Sequence, residues 1–188
     1  MKKILEDYFK KTERFRNIKI LEQTLDLKDL CKTTFAKDKC LAACRNCLNY
    51  GKLWTCPPFV DSVLSNFGKI DVLVCRIPTK QDLSVEKNLE NLYLPVKSKI
   101  HEVLIEHERA IDGLALSFAG ACDFCNGEPC SRLIDRPCRH PELARRSLEG
   151  IGVDVEMILN LYFDVSIEWA SDGVPPEYLT FVAALLHN

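Results

Sequence analysis

Eight of the ten cysteines in this 188-residue chain fall in two tight groups. The first is "CLAACRNCLNYGKLWTCPP", with Cys40, Cys44, Cys47 and Cys56 inside seventeen residues. The second is "CDFCNGEPCSRLIDRPC", with Cys122, Cys125, Cys130 and Cys138 in the same span. Thiolates are the softest protein ligands, and four around one point hold zinc or an iron–sulfur cluster. Cys-x-x-Cys spacing lets one turn present two sulfurs to one centre, and Cys44/Cys47 and Cys122/Cys125 both have it. The more distant Cys56, Cys130 and Cys138 can close the coordination shells. Two groups of four are hard to explain as inert packing thiols, whereas Cys31 and Cys75 stand alone and read as core or surface thiols.

Zinc and iron–sulfur chemistry ask for different spacings. Structural zinc sites pair two matching knuckles across a longer gap, and neither group contains such a pair, although Cys44/Cys47 can combine with Cys122/Cys125. Clusters accept irregular spacing and often place proline after a ligand. Proline lacks an N–H and directs the chain, so Pro57-Pro58 after Cys56 can turn the backbone away from a cluster. A stiff turn before the next element is equally consistent with that pair. The ligand types and spacings therefore favour a [4Fe-4S]-type centre, with zinc as the alternative. Each group is expected to form its own centre, with Cys40 as fourth ligand of the first. A single site drawing sulfurs from both groups is the competing arrangement, so one or two clusters per chain are expected. The cysteine loops hold little apolar material, so ligation is expected to supply their ordering free energy.

Composition bounds the rest. With 47% hydrophobic and 28% charged residues, the chain is ordinary globular material, read as a single cysteine-rich metal-binding domain over residues 1–188. A formal net charge of −2 offers no basic field for nucleic acid or an acidic membrane. No apolar run is long enough to span a bilayer, and Glu6 and Asp7 break the N-terminal pattern before a secretory segment develops. The expected location is the cytoplasm, where reducing conditions turn clustered cysteines toward metal or redox chemistry rather than disulfides.

The elements that must position the thiols follow from periodicity. The first residues form an amphipathic helix with Ile4, Leu5, Tyr8 and Phe9 on one face. A strand follows around Ile18 and Ile20, and the first cysteine group reads as a loop. "FVDSVLSNFG" reads as a short helix closed by Gly68, and "KIDVLVCRIP" as a strand covered on both faces. Over 81–109 the pattern is helical, with Pro95 opening a fresh helix and Val96, Ile100, Val103 and Leu104 as its buried stripe. "AIDGLALSF" reads as a strand ending at the second cysteine group. "HPELARRSLEG" reads as a short helix, and Asp154 caps the next, where Val155, Ile158, Leu159 and Tyr162 share a face. "VSIEW" and "YLTFVAALL" are expected to form a closing hairpin. The strand–helix–strand unit from Ile70 to Phe118 suits a parallel crossover. The fold class is α/β (or α+β), a mixed β-sheet with packed helices and two cysteine-rich loops.

Two resemblances refine this reading. Cys40, Cys44 and Cys47 spell Cys-x₃-Cys-x₂-Cys, which is similar to the cluster motif of radical S-adenosylmethionine enzymes. The chain departs from that motif at Asn46, usually aromatic there, in having Cys56 as a nearby fourth thiol, and in being too short for the barrel behind it. The second resemblance is broader. "CRNCLNYGKLWTCPPF", the second cysteine array, "PCRHPE" and "RRSLEGIGVDV" together resemble the predicted metal-binding family known as domain of unknown function 2284. The match spans Cys44 to Val155. It implies metal or cluster ligation by Cys44, Cys47, Cys56, Cys122, Cys125, Cys130 and Cys138, with Cys40 outside the best-matching part.

Around these motifs, Tyr50 and Trp54 are expected to pack over the site, and Ser147 and Glu149 to line a pocket or simply serve a helix. Arg139, Arg145 and Arg146 read as a solvated helix face that could also offset cluster charge. His140 is a helix-start residue or a ligand, and His101 and His107, six apart, are poorly placed for a joint site. No phosphate loop is present. The function expected is an iron–sulfur protein in electron transfer, or an accessory to a redox enzyme, with a redox protein partner. A structural zinc protein that binds a partner is the alternative, and a cluster-dependent enzyme the minor one.

Overall fold

A computed structural model describes residues 1–59, 63–79, 89–120, 122–171 and 174–188. Its centre is strand β2 (Lys69–Pro78), which pairs antiparallel with β1 (Lys19–Asp26) on one side and β4 (Tyr178–His187) on the other. The short β3 (Leu114–Leu116) pairs with β4, giving the order β1-β2-β4-β3. Every ladder is antiparallel. The expected parallel crossover is split, because β4 inserts between β2 and β3, and the sheet is not mixed in its ladders. Helices on both faces bear out the α/β class.

Period-two alternation sorts the strand residues between two cores. Leu73, Cys75 and Ile77 of β2 and Ala183 and Leu185 of β4 point to one face. There they meet α1 (Lys2–Lys10) through Leu5 and Phe9, and α4 (Leu89–Ile111) through Val96, Ile100, Val103 and Leu104. Ile70, Val72 and Val74 of β2 and Val182, Ala184 and Leu186 of β4 point to the other face. They meet α2 (Leu27–Thr34) through Leu27 and Leu30, and α5 (Val155–Ile158) through Val155 and Ile158. Burial of Cys75 in the first core and partial burial of Cys31 against the second agree with their reading as packing thiols. Of the expected face of α1, only Leu5 and Phe9 are buried, while Ile4 and Tyr8 are about half exposed.

Several local expectations are corrected. Pro95 lies inside α4 rather than at its start. A proline has no N–H for the carbonyl four residues back, and Arg14 supplies the missing donor, its Nη2 lying 3.0 Å from the Asn91 oxygen. The first cysteine group is not all loop: α3 (Lys37–Arg45) carries Cys40 and Cys44. Those two are four apart and share a helical face, and the intervening Leu-Ala-Ala favours a helix. Helix α2, to which the sequence pattern assigns no element, is capped by Asp26, whose carboxylate accepts from the Asp29 N–H.

"HPELARRSLEG" is a turn followed by irregular chain that runs into a 3₁₀ turn at Glu149–Ile151, because the Arg145 guanidinium donates to the carbonyls of Pro141, Glu142 and Ala144, groups a helix would use internally. "VSIEW" forms no strand. The Glu168 carboxylate accepts from the N–H groups of Glu177 and Tyr178, which a hairpin would pair with backbone. In "FVDSVLSNFG" the described part is one 3₁₀ turn at Leu64–Asn66, and residues 60–62 lie outside the described residues. The Asp154 cap holds as expected, its Oδ1 accepting from the Met157 N–H, and α5 continues as a π-helical turn over Leu159–Phe163. Among the described residues, no helix is long and apolar enough to cross a membrane.

The tightest backbone approach is at Gly113, between α4 and β3. A β-carbon there would lie 2.6 Å from the Leu186 carbonyl oxygen and 3.2 Å from Leu185 Cδ1. The Leu186 carbonyl is backbone of β4, so it cannot move without disturbing the ladder. Gly113→Ala is expected to cost roughly 1–3 kcal/mol by overpacking. Urea denaturation should show a lower midpoint with an unchanged slope, and an unchanged midpoint would contradict this packing.

Candidate metal centre

The short pairing of β3 creates the site. Its ladder with β4 stops at Leu116. Ser117 leaves the sheet and bridges to Ser147 instead, its N–H donating to the Arg146 carbonyl at 2.8 Å. The space opened by this departure is a cavity of about 930 Å³. One wall is α3 with the turns after it, and another is α4 with the chain following β3.

All four thiols of the first array, Cys40, Cys44, Cys47 and Cys56, line this cavity, and Cys122 of the second array joins them. Successive turns bring the first array together. The Cys47 N–H donates to the Cys44 carbonyl at 2.9 Å, and the Cys56 N–H to the Leu53 carbonyl at 3.0 Å. Gly51 takes a left-handed φ of +70°, and its N–H donates to the Pro57 carbonyl, closing the loop on itself. The Pro57-Pro58 bond is cis. Gly150 and Gly152 of "SLEGIGV" let this loop and α3 approach closely. A β-carbon on Gly150 would touch Phe59 and Pro57, and one on Gly152 would lie 3.1 Å from the α3 backbone at Lys37.

The second array folds over the first. The Arg132 guanidinium donates to the carbonyls of Leu53 and Cys56, both at 2.6 Å, and to that of Pro58 at 3.0 Å. The Trp54 indole N–H donates back to the Arg136 carbonyl at 3.0 Å, and the guanidinium lies over its ring at 5.4 Å. Ser131 Oγ closes the second loop on the Pro137 carbonyl. The expectation that only ligation orders these loops is thereby corrected: side-chain bonds to backbone carbonyls also tie them together.

The thiols of each array influence one another's ionisation. Burial pushes the Cys40 pKa up to about 11, and the neighbouring Asp154, Glu149 and Cys44 add to the rise. Burial also raises Cys44, with help from Glu149 and Cys47. It raises Cys56, where Cys47 and Cys44 add and Thr55 and Arg132 oppose. In the second array burial raises Cys122, which feels Cys138, Cys125 and Cys130. Among the described residues, no three Cys, His, Asp or Glu side chains are gathered tightly enough to hold a metal ion. The arrays are thus neighbourhoods of four thiols rather than formed coordination shells. Their donor chemistry, four sulfurs per loop with no competing disulfide, fits a thiolate-bound metal or cluster.

The flanking residues fall out unevenly. Ser147 and Glu149 line the cavity, and the Glu149 carboxyl is pushed up by burial, its Oε2 lacking a hydrogen-bond partner. Tyr50 lines it too, while Trp54 and Cys138 line a neighbouring groove. The arginines are not a solvated helix face. Arg145 pairs with Glu108, Arg146 lies over the Phe59 ring at 4.1 Å, and Arg139 donates to the Pro129 carbonyl. His140 sits beside Glu142 at 3.7 Å at the start of a turn. His101 faces the cavity, which the sequence did not reveal. Its only sequence signal is a position one turn after Lys97 on the same helix.

A family model described as "Predicted metal-binding protein (DUF2284)" matches residues 24–187. No curated protein and no solved structure matches the chain.

Two outcomes test this geometry. Arg132→Met should remove three charge-assisted bonds, each worth about 1.5–3 kcal/mol in context. Hydrogen exchange should rise in both cysteine loops while β2 and β4 stay protected; unchanged loops would show that the arginine does not join them. Burial tends to raise the Asp154 pKa, but Lys39 at 2.6 Å and the capped N–H groups outweigh it and lower it. A carboxyl with a depressed folded pKa stabilises above its unfolded value and loses that contribution as pH falls through the folded one. Asp154→Ala should cost about 1 kcal/mol at neutral pH. The gap from the parent chain should close on acidification below the ordinary value of 3.8, and a gap constant with pH would contradict this role.

Proposed function

The chain belongs to the predicted metal-binding protein family DUF2284, and on that premise we propose that it is a [4Fe-4S]-type iron–sulfur protein in electron transfer, or an accessory to a redox enzyme. The observation that carries this reading is the shared exposure of Cys40, Cys44, Cys47 and Cys56 to one cavity of about 930 Å³. A structural zinc ion sits in a closed knuckle and needs no such space. A four-iron cluster is bulkier and is held by four thiolates. Cys40, Cys44, Cys47 and Cys56 would hold one centre, and Cys122, Cys125, Cys130 and Cys138 a second. When bound, such a group supplies one-electron chemistry. The chain's part is to bring the sulfurs together through the turns of the first loop and the Arg132 tie, and to screen them with Tyr50.

The partner-facing side of this reading rests on exposure. Leu48 follows Cys47 and is 84% exposed, and Leu133 and Ile134 of the second loop are 55% and 66% exposed. These apolar side chains lie on the same loops as the thiols, where a redox protein partner would dock with the centres close to its own. A cytoplasmic location, consistent with reduced cysteines, belongs to the same proposal.

Anaerobic purification with iron, sulfide and zinc analysis tests it. The expected result is a brown protein with roughly eight iron and eight sulfide per chain, four of each per array. Cys44→Ser with Cys47→Ser should halve that content and leave the second centre. One centre per chain after full reconstitution would reject the two-centre arrangement. Stoichiometric zinc after anaerobic handling, without sulfide, would replace the iron–sulfur reading by a structural zinc protein.

A further inference from the structure

The wall of the cavity formed by α4 carries groups that metal ligation does not use. Lys97 and His101 are four residues apart on α4 and face the cavity together. Among the described residues, Lys97 makes no ion pair and no hydrogen bond. Its ammonium lies 5.7 Å from the Tyr93 ring centre and 6.0 Å from that of Phe118. A β-carbon on Gly120 would come within 3.7 Å of Nζ, so the chain after β3 closes over it. Burial lowers the Lys97 pKa, with Asp123 and Cys122 opposing. Asp123 also lines the cavity and partly balances this charge, but the ammonium donates no hydrogen bond among the described residues, which leaves its N–H groups for an anion.

His101 is 8% exposed, and its ring packs 4.9 Å from the Phe124 ring. Nδ1 lies 3.3 Å from Ser117 Oγ. Nε2 is buried without a hydrogen-bond partner. Burial lowers the pKa of the ring, Arg145 adds to this, and the Leu143 carbonyl and Glu108 oppose. With Nε2 closed off from the cavity, the ring supports this wall through Ser117 and Phe124 rather than meeting a ligand.

We propose that this cavity binds a small organic carboxylate, taken by Lys97 Nζ, its carbon body lying against Phe118, Leu94 and Trp169. The space is of drug-sized rather than inorganic-anion scale. The apolar side chains explain an organic body: Leu94 is 40% and Trp169 79% exposed while both line the cavity. Lys39 also lines the cavity but is paired with Asp154 at 2.6 Å. Arg145 does not compete for the carboxylate, because its guanidinium is held by Glu108. The site rests on α4 and the end of β3, so it stands whichever metal the cysteines hold.

The test is calorimetric titration of the anaerobically purified full chain with benzoate, phenylacetate and hexanoate, their neutral amides, and inorganic phosphate. At least one carboxylate should bind with a Kd below about 1 mM, and its amide and phosphate should bind about tenfold more weakly or worse. Lys97→Met should weaken the carboxylate by about tenfold and leave the amide unchanged, and Lys97→Arg should restore most of the affinity. Folding of both variants is checked by circular dichroism. Failure of all three carboxylates to bind overturns the proposal. So does equal binding of acid and amide, preference for phosphate, or indifference to Lys97→Met. Metal content is measured in the same samples. Loss of the metal reading therefore shows as missing iron, sulfide or zinc, and loss of this one as missing carboxylate binding.

Discussion

The Arg132 guanidinium is the interaction on which the site's shape depends. Each cysteine array spans seventeen residues with few side chains in either buried core. Backbone carbonyls turned inward by the tight turns at Cys44–Cys56 need donors. Arg132 supplies three at once, to Leu53, Cys56 and Pro58. Its planar fork suits this task in a way a lysine ammonium does not. Because Arg132 belongs to the second loop and the carbonyls to the first, this side chain, with Trp54 donating back to the Arg136 carbonyl, ties the two arrays together. The cavity between them follows from that tie and from the early end of β3.

The sheet contributes rigidity rather than chemistry. β2 is paired on both sides from Lys69 to Arg76 and packs against a core on each face, so its neighbours inherit a fixed plane. The chain needs only one irregularity to make room for ligands, and Ser117 provides it by leaving β4 for Ser147. This places the second cysteine array at the end of a short strand and brings Ser147, Glu149 and Gly150 beside the first array. Residues more than a hundred positions apart thus share one wall, as Cys40 and Asp154 do.

The central strand, the buried stripe of α4 and the Asp154 cap were legible in the sequence because local periodicity or a capping residue determines each. The eight clustered thiols were legible because their type and spacing are rare. What escaped was decided by side chains that replace backbone partners. Glu168 takes the N–H groups a hairpin would have paired, Arg145 takes carbonyls a helix would have used, and Arg14 caps the carbonyl that Pro95 leaves open. The Glu168 and Arg14 partners are distant in sequence, and the Arg145 partners, though local, are backbone carbonyls that no residue type marks. The α3 helix is a different kind of miss. Cys40 and Cys44 have helical spacing, but the segment around them lacks a clear apolar periodicity, so its pattern reads as a loop. His101 escaped because a histidine on a buried helical face looks the same whether or not a cavity lies in front of it.

The thiol environment bears on which cysteine chemistry this chain can support. A nucleophilic or redox-exchanging cysteine needs a lowered pKa, supplied by a helix N-terminus or a neighbouring cation. Cys40 and Cys44 have the reverse: they lie on the second and last turns of α3, are partly or wholly withdrawn from water, and face Glu149 and Asp154. Their protonated forms are favoured at neutral pH, so they are poor attacking groups. A soft cation offsets the same carboxylate field that holds the protons on, and it displaces those protons directly. In this setting a metal is the partner for which the acidic neighbours are an advantage. The arrangement that makes the first array sluggish as a set of free thiols is therefore compatible with its use as a ligand set.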